Sequence, residues 1–312
     1  MTVSIIIPTY NRSITLRKCL DSIKAQSYDQ DKIEIIVVDD GSTDNTSKVV
    51  KNNIGSLNIA YYYQSNRGPS AARNLAIRKS KNKIILIIND DTILSKEMVE
   101  EHVRFHNKFK SENCAILGYV EWDNSINLTP YMKWLQEKGP LFAYYEIKGI
   151  KANWGFAFTC NISYKRKFLL KNGLFDEDFP YAAWEDIELA YRLSQKGMIL
   201  YYNKKAIGYH HHFTTLQSSL RKMITQGKSA IIMSQKIKQQ ADLPPISRKI
   251  MGKNLQRLDS IFLNKPIAWI LEKIAFFLEN KFIISPLFTI LLLHYRLIGR
   301  KEMLKIYAQK DN

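Results

Sequence analysis

Ile33-Glu34-Ile35-Ile36-Val37-Val38-Asp39-Asp40-Gly41-Ser42-Thr43-Asp44 reads as a buried strand that ends in two carboxylates and a glycine turn. Thr43 or Asp44 can then cap a helix over 44–52. Working outward, the same rhythm recurs as strand 3–8, helix 14–26, strand 59–64, helix 71–80 and strand 84–88. Short β-rich runs alternating with helical patterns predict βαβ units and a mostly parallel sheet. Three of the four strands end in polar clusters, Thr9–Arg12, Asp39–Asp44 and Asn89–Thr92. In open parallel sheets ligands bind just beyond such ends, so the clusters are expected to share one crevice.

Ile87-Ile88-Asn89-Asp90-Asp91-Thr92 is the sharpest of them. Two adjacent carboxylates after an apolar strand repel each other unless a cation or hydrogen-bond donors offset the charge. Hard oxygen ligands suit Mg²⁺ or Mn²⁺, with substrate phosphates completing the shell. The alternative is an acidic cap for a helix opening near Lys96. Asp40 at its strand end can accept hydrogen bonds from a nucleoside base or ribose, or can be a plain turn residue. Asn66-Arg67-Gly68-Pro69-Ser70-Ala71-Ala72-Arg73-Asn74 joins a Gly-Pro turn to a helix start with two guanidinium groups, a pattern suited to phosphate oxygens.

Beyond residue 92 the pattern predicts a helix over 96–109, a strand near 115–121, an aromatic-rich stretch to Tyr145, a strand over 156–163, a turn at 171–178 and a helix opening at Glu185-Asp186. A last strand is expected from Tyr201 to His210–His212. From Leu216 amphipathic helices take over, separated by Asp242-Leu243-Pro244-Pro245 and Asn264-Lys265-Pro266.

The 312 residues suffice for one large α/β domain and an appendage. Cys19, Cys114 and Cys160 lie far apart with no CxxC spacing, which argues against a disulfide framework or zinc site and for a reducing compartment. Met1–Arg12 has no basic leader and only a short apolar run, so a strand and cytoplasmic residence are expected. Most of the net charge of +17 comes from residues 216–312, with 17 Lys/Arg against six Asp/Glu. Nucleic acid, phosphorylated substrates and anionic lipid all answer to such charge.

Pro8-Thr9-Tyr10-Asn11-Arg12, Val38 to Asp44, Gly68 to Asn74 and Asn89-Asp90-Asp91 stand in the order and spacing of the family 2 glycosyltransferases of GT-A fold, of the bacterial surface-polysaccharide type. Trp184-Glu185-Asp186-Ile187-Glu188-Leu189-Ala190-Tyr191-Arg192 resembles the later carboxylate-pair helix of that family. The resemblance covers about two-thirds of the chain. It implies an α/β GT-A catalytic domain over 1–215, with a Rossmann-like nucleotide-binding half (1–92) and an acceptor half (93–215), followed by a basic helical region (216–312). It also implies an inverting transfer from a nucleoside-diphosphate sugar, of the UDP type, to a glycan or lipid-linked acceptor hydroxyl, assisted by Mn²⁺ or Mg²⁺.

By that resemblance Asp40 binds the base, with Pro8, Thr9, Tyr10, Arg12 and Asn66 nearby, while Asp90 sits by the ribose and Arg73 near the donor. Asp91 ligates the metal, Asp186 is the base and Glu185 is its partner carboxylate. Asn89 replaces the commoner Asp and removes one negative charge from the metal motif. His210 and His212 share a face of an extended segment, where one of them completes the metal shell or both face solvent or acceptor. Trp154, Asn161 and Trp184 fall in the region that shapes the acceptor pocket.

The apolar run 283–293, broken by Ser285 and Pro286, is too short to span a bilayer. With Lys265, Lys273, Lys281, Arg296, Arg300, Lys301 and Lys305 around Trp269 and Phe276–Phe277, the region either lies on the inner face of an anionic membrane or packs on the catalytic domain or a second subunit. A sugar-1-phosphate nucleotidyltransferase requires a Gly-rich basic phosphate loop after the first strand, and Pro8–Arg12 is not one. A nucleic-acid binder is disfavoured because the charge avoids the motif region and no binding motif is present.

Overall fold

The computed structural model of the chain describes residues 1–139, 141–179, 183–237 and 265–310. The expected break at Asp242–Pro245, and Asn264 of the second, lie outside the described residues. Two compact units emerge: Met1–Ile126 with Glu146–His212, and Asn127–Tyr145 with Phe213–Asn312.

The first unit is built on a sheet of β1 (Val3–Thr9), β2 (Ile33–Asp39), β3 (Ile59–Tyr63), β4 (Ile84–Ile88), β5 (Thr92–Leu94), β6 (Cys114–Trp122), β7 (Lys151–Ala152), β8 (Asn161–Lys165) and β9 (Ile199–His210). The order is β3-β2-β1-β4-β8-β6-β9-β5, with β7 on β9. β3, β2, β1 and β4 run parallel, as the βαβ rhythm predicts. β8 then runs antiparallel to both β4 and β6. Every residue of β4 is buried and β1 nearly so, which is why both read as continuous apolar runs rather than alternating ones.

Helices α1 (Ser13–Lys24), α2 (Thr46–Lys51), α3 (Pro69–Lys79), α4 (Met98–Lys108), α6 (Arg166–Asn172) and α7 (Glu185–Ser194) accompany the sheet. Leu16, Cys19, Leu20 and Ile23 of α1, spaced i, i+3, i+4 and i+7, join Val3, Ile5, Ile7, Ile35 and Val37 in one core. Neither Thr43 nor Asp44 caps α2, whose N-cap is Asn45. Asp44 instead accepts from the Ser13 amide at 2.9 Å and the Thr46 amide at 3.0 Å, tying the turn after β2 to α1. The strand expected over 156–163 divides, because Asn153 accepts from the Gly155 amide and sets a 3₁₀ turn before β8. The turn expected from 171 opens later, since α6 runs on to Gly173, where φ is +113°.

The second unit comprises α5 (Pro130–Glu137), α8 (Leu216–Lys236), α9 (Lys265–Leu278) and α10 (Ser285–Lys310). α8 and α10 cross at Gly227 and Gly299, where a Cβ on the first meets the Arg296 carbonyl and on the second the Ile224 carbonyl. α9 buries Ala268 and Ala275 but leaves Ile267, Trp269, Ile270, Ile274 and Phe277 exposed. No helix among the described residues is long and apolar enough to cross a membrane.

A buried polar chain runs from Asn161 through His102 and Ser163 to His106. Asn161 Nδ2 donates to the carbonyls of Tyr119 (3.1 Å) and Ala206 (2.9 Å), so its Oδ1 accepts from His102 Nε2 at 2.8 Å. His102 Nδ1 therefore accepts from Ser163 (2.8 Å), whose oxygen accepts from His106 Nε2 (2.9 Å). Burial lowers His102 to about 4 against the pull of Asn161, and burial with Lys165 and His102 lowers His106 well below the ordinary value. The unfolded chain binds these protons more readily, so the two rings cost stability as pH falls from the ordinary histidine value toward 4. Asp90 and Asp186, raised in the fold, oppose that trend, so a melting curve alone does not isolate it. NMR of histidine-labelled protein at about pH 5.5 isolates it: both rings are expected as neutral Nε2–H tautomers, and imidazolium signals would contradict the network.

Candidate active site

Parallel pairing brings the carboxyl ends of β1, β2 and β4 to one edge, with Thr9 level with Asp39 and Ile6 level with Ile87. The chain leaves β4 through Asn89 into Asp90 and Asp91, which are 5% and 3% exposed. Thr9 donates its hydroxyl to Asp90 Oδ2 at 2.8 Å. Arg12 Nη1 spans the pair, 2.9 Å from Asp90 Oδ1 and 2.5 Å from Asp91 Oδ2. Burial and the adjacent Asp91 push Asp90 up to about 6. Burial opposes ionisation of Asp91 as well, yet His210 and Arg12 outweigh it and hold that carboxyl well below the usual range.

The three-residue β5, not anticipated from sequence, follows Asp91 at once and pairs Thr92 with His210. That register brings His210 Nε2 to 3.3 Å and His212 Nδ1 to 3.9 Å from Asp91 Oδ2. Trp122, also unforeseen, stacks on the His210 ring with centroids 5.2 Å apart. His211 faces the other way, donating from Nδ1 to Asp123 at 2.6 Å and accepting at Nε2 from Lys18 at 2.9 Å. Asp91 Oδ1 is buried and has no hydrogen-bond partner among the described residues. A carboxylate oxygen left bare at 3% exposure fits a missing cation or donor. Among the described residues no three side chains of the His, Cys, Asp and Glu types form a group able to hold a metal alone.

Asp40 joins this edge through its amide, which donates to the Thr9 carbonyl at 2.9 Å. Its carboxylate accepts from Gln64 Nε2 (2.7 Å) and the amides of Arg67 (2.9 Å) and Gly68 (2.8 Å), holding the loop that opens α3. One lone pair of Oδ2 stays outside these bonds. Gly68 takes φ +87°, a conformation that favours glycine. From α3, Arg73 Nη1 reaches Glu185 Oε1 at 2.8 Å, and both side chains are about 5% exposed or less. Asp186 follows on α7, where burial and Glu185 push its carboxyl up to about 7 against Arg73.

Glu185, expected beside the base as a catalytic partner, is held in a buried ion pair with Arg73. Asn161, expected at the acceptor pocket, is wholly buried and spends its amide within the sheet, so its place there is corrected. Trp184 is 7% exposed and adopts a left-handed φ of +73° ahead of α7. Trp154 is half-buried against Tyr191, with ring centroids 5.4 Å apart. Pro8 is half-buried, Tyr10 is 48% exposed and Asn66 is exposed, all at the β1 to α3 side of the edge.

The family profile described as "Glycosyl transferase family 2" matches residues 4–173. The chain belongs to that family. It is 26% identical over 261 residues to YfnE, an uncharacterised glycosyltransferase of Bacillus subtilis, covering 67% of this chain and 64% of that protein. It is 28% identical over 239 residues to a chondroitin synthase of Escherichia coli, covering 67% and 34%. The alignments thus span less than two-thirds of either relative. Among solved structures, the mannosyltransferase PcManGT of Pyrobaculum calidifontis, in complex with GDP-Man and Mn²⁺, superposes with a TM-score of 0.68 at 18% identity, covering 97% of this chain and 86% of that one. That likeness concerns the fold, which is GT-A, with a helical carboxyl-terminal region.

Arg73–Glu185 links α3, inside the matched stretch, to α7 beyond it by a desolvated ion pair. Removing one member of such a pair strands the other charge, at a cost of about 3–5 kcal/mol. Arg73→Met is expected to lose stability on that scale in urea unfolding, and Arg73→Met with Glu185→Leu to recover most of it. A single variant within about 1 kcal/mol of wild type would contradict the coupling.

Proposed function

We propose that the chain transfers a sugar from a nucleoside-diphosphate donor, of the uridine type, to an acceptor hydroxyl in glycan synthesis by one inverting displacement. The observation that carries the reading is Asp91: a buried, ionised carboxylate with a bare oxygen, where three strand ends and two histidines meet. Mn²⁺ or Mg²⁺ would be held by Asp91 with His210 or His212 beside it, and such an ion stabilises negative charge on a departing diphosphate. The relative in complex with GDP-Man and Mn²⁺ supports that cofactor class. Among the described residues too few protein ligands stand together to bind the ion unaided, which suits a metal that arrives with phosphate oxygens.

Pro8, Thr9, Tyr10, Asp40 and Asn66 border the nucleoside, with Asp90 at the ribose and Arg73 toward the diphosphate. Asp186 accepts the acceptor's hydroxyl proton as that oxygen bonds to the anomeric carbon and the bond to the diphosphate breaks. A base raised to about 7 balances deprotonation against proton affinity near neutral pH. Trp154 and Trp184 border the acceptor. A lipid-linked acceptor accords with the exposed face of α9, where apolar Ile267, Ile270, Ile274 and Phe277 stand beside Lys273 and Lys281.

Nucleotide release from a sugar-nucleotide panel tests the chemistry. Asp91→Asn is expected to lose metal-dependent donor binding. Asp186→Asn keeps donor binding and loses roughly 10²–10⁴ in transfer rate. Because the base must be deprotonated, wild-type transfer should rise as pH climbs through about 7. Full activity in either variant would refute its role. Separately, the intact chain should co-float with anionic but not neutral vesicles, and Phe277→Glu should abolish this; equal recovery on both vesicle types would exclude an anionic surface as partner.

A further inference from the structure

Arg12 occupies the space between Asp90 and Asp91 that a bridging cation would take. Its Nη1 lies within 2.9 Å of an oxygen from each carboxylate. Its Nη2 stands 3.0 Å from His212 Nδ1, and since a guanidinium can only donate, that ring nitrogen accepts and His212 is neutral. The residue is held there by its backbone. Asn11 takes a left-handed φ of +52°, donates its amide to Ser42 Oγ at 2.8 Å and accepts the Thr43 amide at 2.7 Å. Arg12 is thereby fixed between β1 and α1, with its side chain crossing the edge to the far carboxylates.

The charges of this cluster do not favour a metal alone. Arg12 cancels one of the two carboxylate charges; of the two oxygens it does not reach, Asp90 Oδ2 is held by Thr9, and Asp91 Oδ1 is bare among the described residues. A divalent ion approaching Asp91 meets a guanidinium already seated on the facing oxygen, and at a few ångströms that repulsion is large in a buried site. A nucleoside diphosphate changes the balance, because its oxygens offer the guanidinium a bidentate partner of higher charge.

We infer that Arg12 is a resident counter-cation that keeps the metal position weak until a diphosphate arrives and takes the guanidinium over. Metal and nucleotide binding are then coupled through one side chain, and linkage makes the coupling equal in both directions. This rests on the metal reading of Asp91 given above, but assigns Arg12 a part that goes beyond holding the donor.

Mn²⁺ binding followed by electron paramagnetic resonance, with and without UDP or GDP and with no sugar present, tests it without reference to activity. Wild type is expected to bind Mn²⁺ weakly alone and roughly tenfold or more tightly with nucleotide, within the usual span of coupled sites. Arg12→Gln, which keeps a donor but drops the charge, should bind Mn²⁺ alone roughly tenfold more tightly, with most of the nucleotide enhancement gone. Arg12→Lys, which keeps the charge, should stay near wild type for Mn²⁺ alone. Nucleotide-dependent Mn²⁺ binding in wild type, together with unchanged or weaker Mn²⁺ affinity in folded Arg12→Gln, would overturn this inference alone. No Mn²⁺ binding in wild type under any condition would overturn the metal reading and this inference with it.

Discussion

Two carboxylates forced side by side at the end of a fully buried strand set the terms for the rest of the first unit. β4 has no exposed residue, so the chain cannot leave it without carrying Asp90 and Asp91 close to the apolar core. Adjacent charges at such depth need compensation from several directions. It comes from Thr9 and Arg12 at the end of β1 and from His210 at the end of β9. The order of the sheet follows the same need, since β1 is the parallel neighbour of β4 and β5 draws β9 alongside Asp91.

The site is thus split between rigid and adjustable parts. Asp40 spends three of its hydrogen bonds on the loop before α3, and α3 in turn delivers Arg73 to Glu185. Those contacts fix distances between segments far apart in sequence, which a transfer reaction needs if the acceptor is to meet the donor in line. Around Asp91, by contrast, one carboxylate oxygen is bare and a guanidinium stands where a metal could. Rigid backbone with unsettled charge suits the proposed anionic donor that brings its own cation.

Sequence carried the parallel half well because buried parallel strands and their polar ends are local signals: Val3–Pro8, Ile33–Asp39 and Ile84–Ile88 each state their period and their stop. Asp90 and Asp91, at the end of one such strand, stood out for the same reason, whereas the carboxylates of α7 were reached only through the family resemblance. What escaped was set by pairing across distance. Thr92–Leu94 is too short to show a period, so β5 was invisible, and with it the reason that His210 rather than His211 meets Asp91. Asn161 looked like a pocket residue, yet the backbone carbonyls at Tyr119 and Ala206 claim it, a demand that no local pattern reveals. Glu185 read as half of a carboxylate pair, and its ion pair with Arg73 on a distant helix was not foreseen.

In the proposed reaction Asp91 meets a divalent ion shared with the donor's diphosphate. Crystals grown with Mn²⁺ and a nucleoside diphosphate, measured at the manganese edge, address it directly. One anomalous peak is expected in contact with Asp91 and the diphosphate, with the guanidinium of Arg12 turned from the carboxylates to phosphate. Nucleotide bound at the β1, β2 and β4 ends with no peak at Asp91 would contradict it.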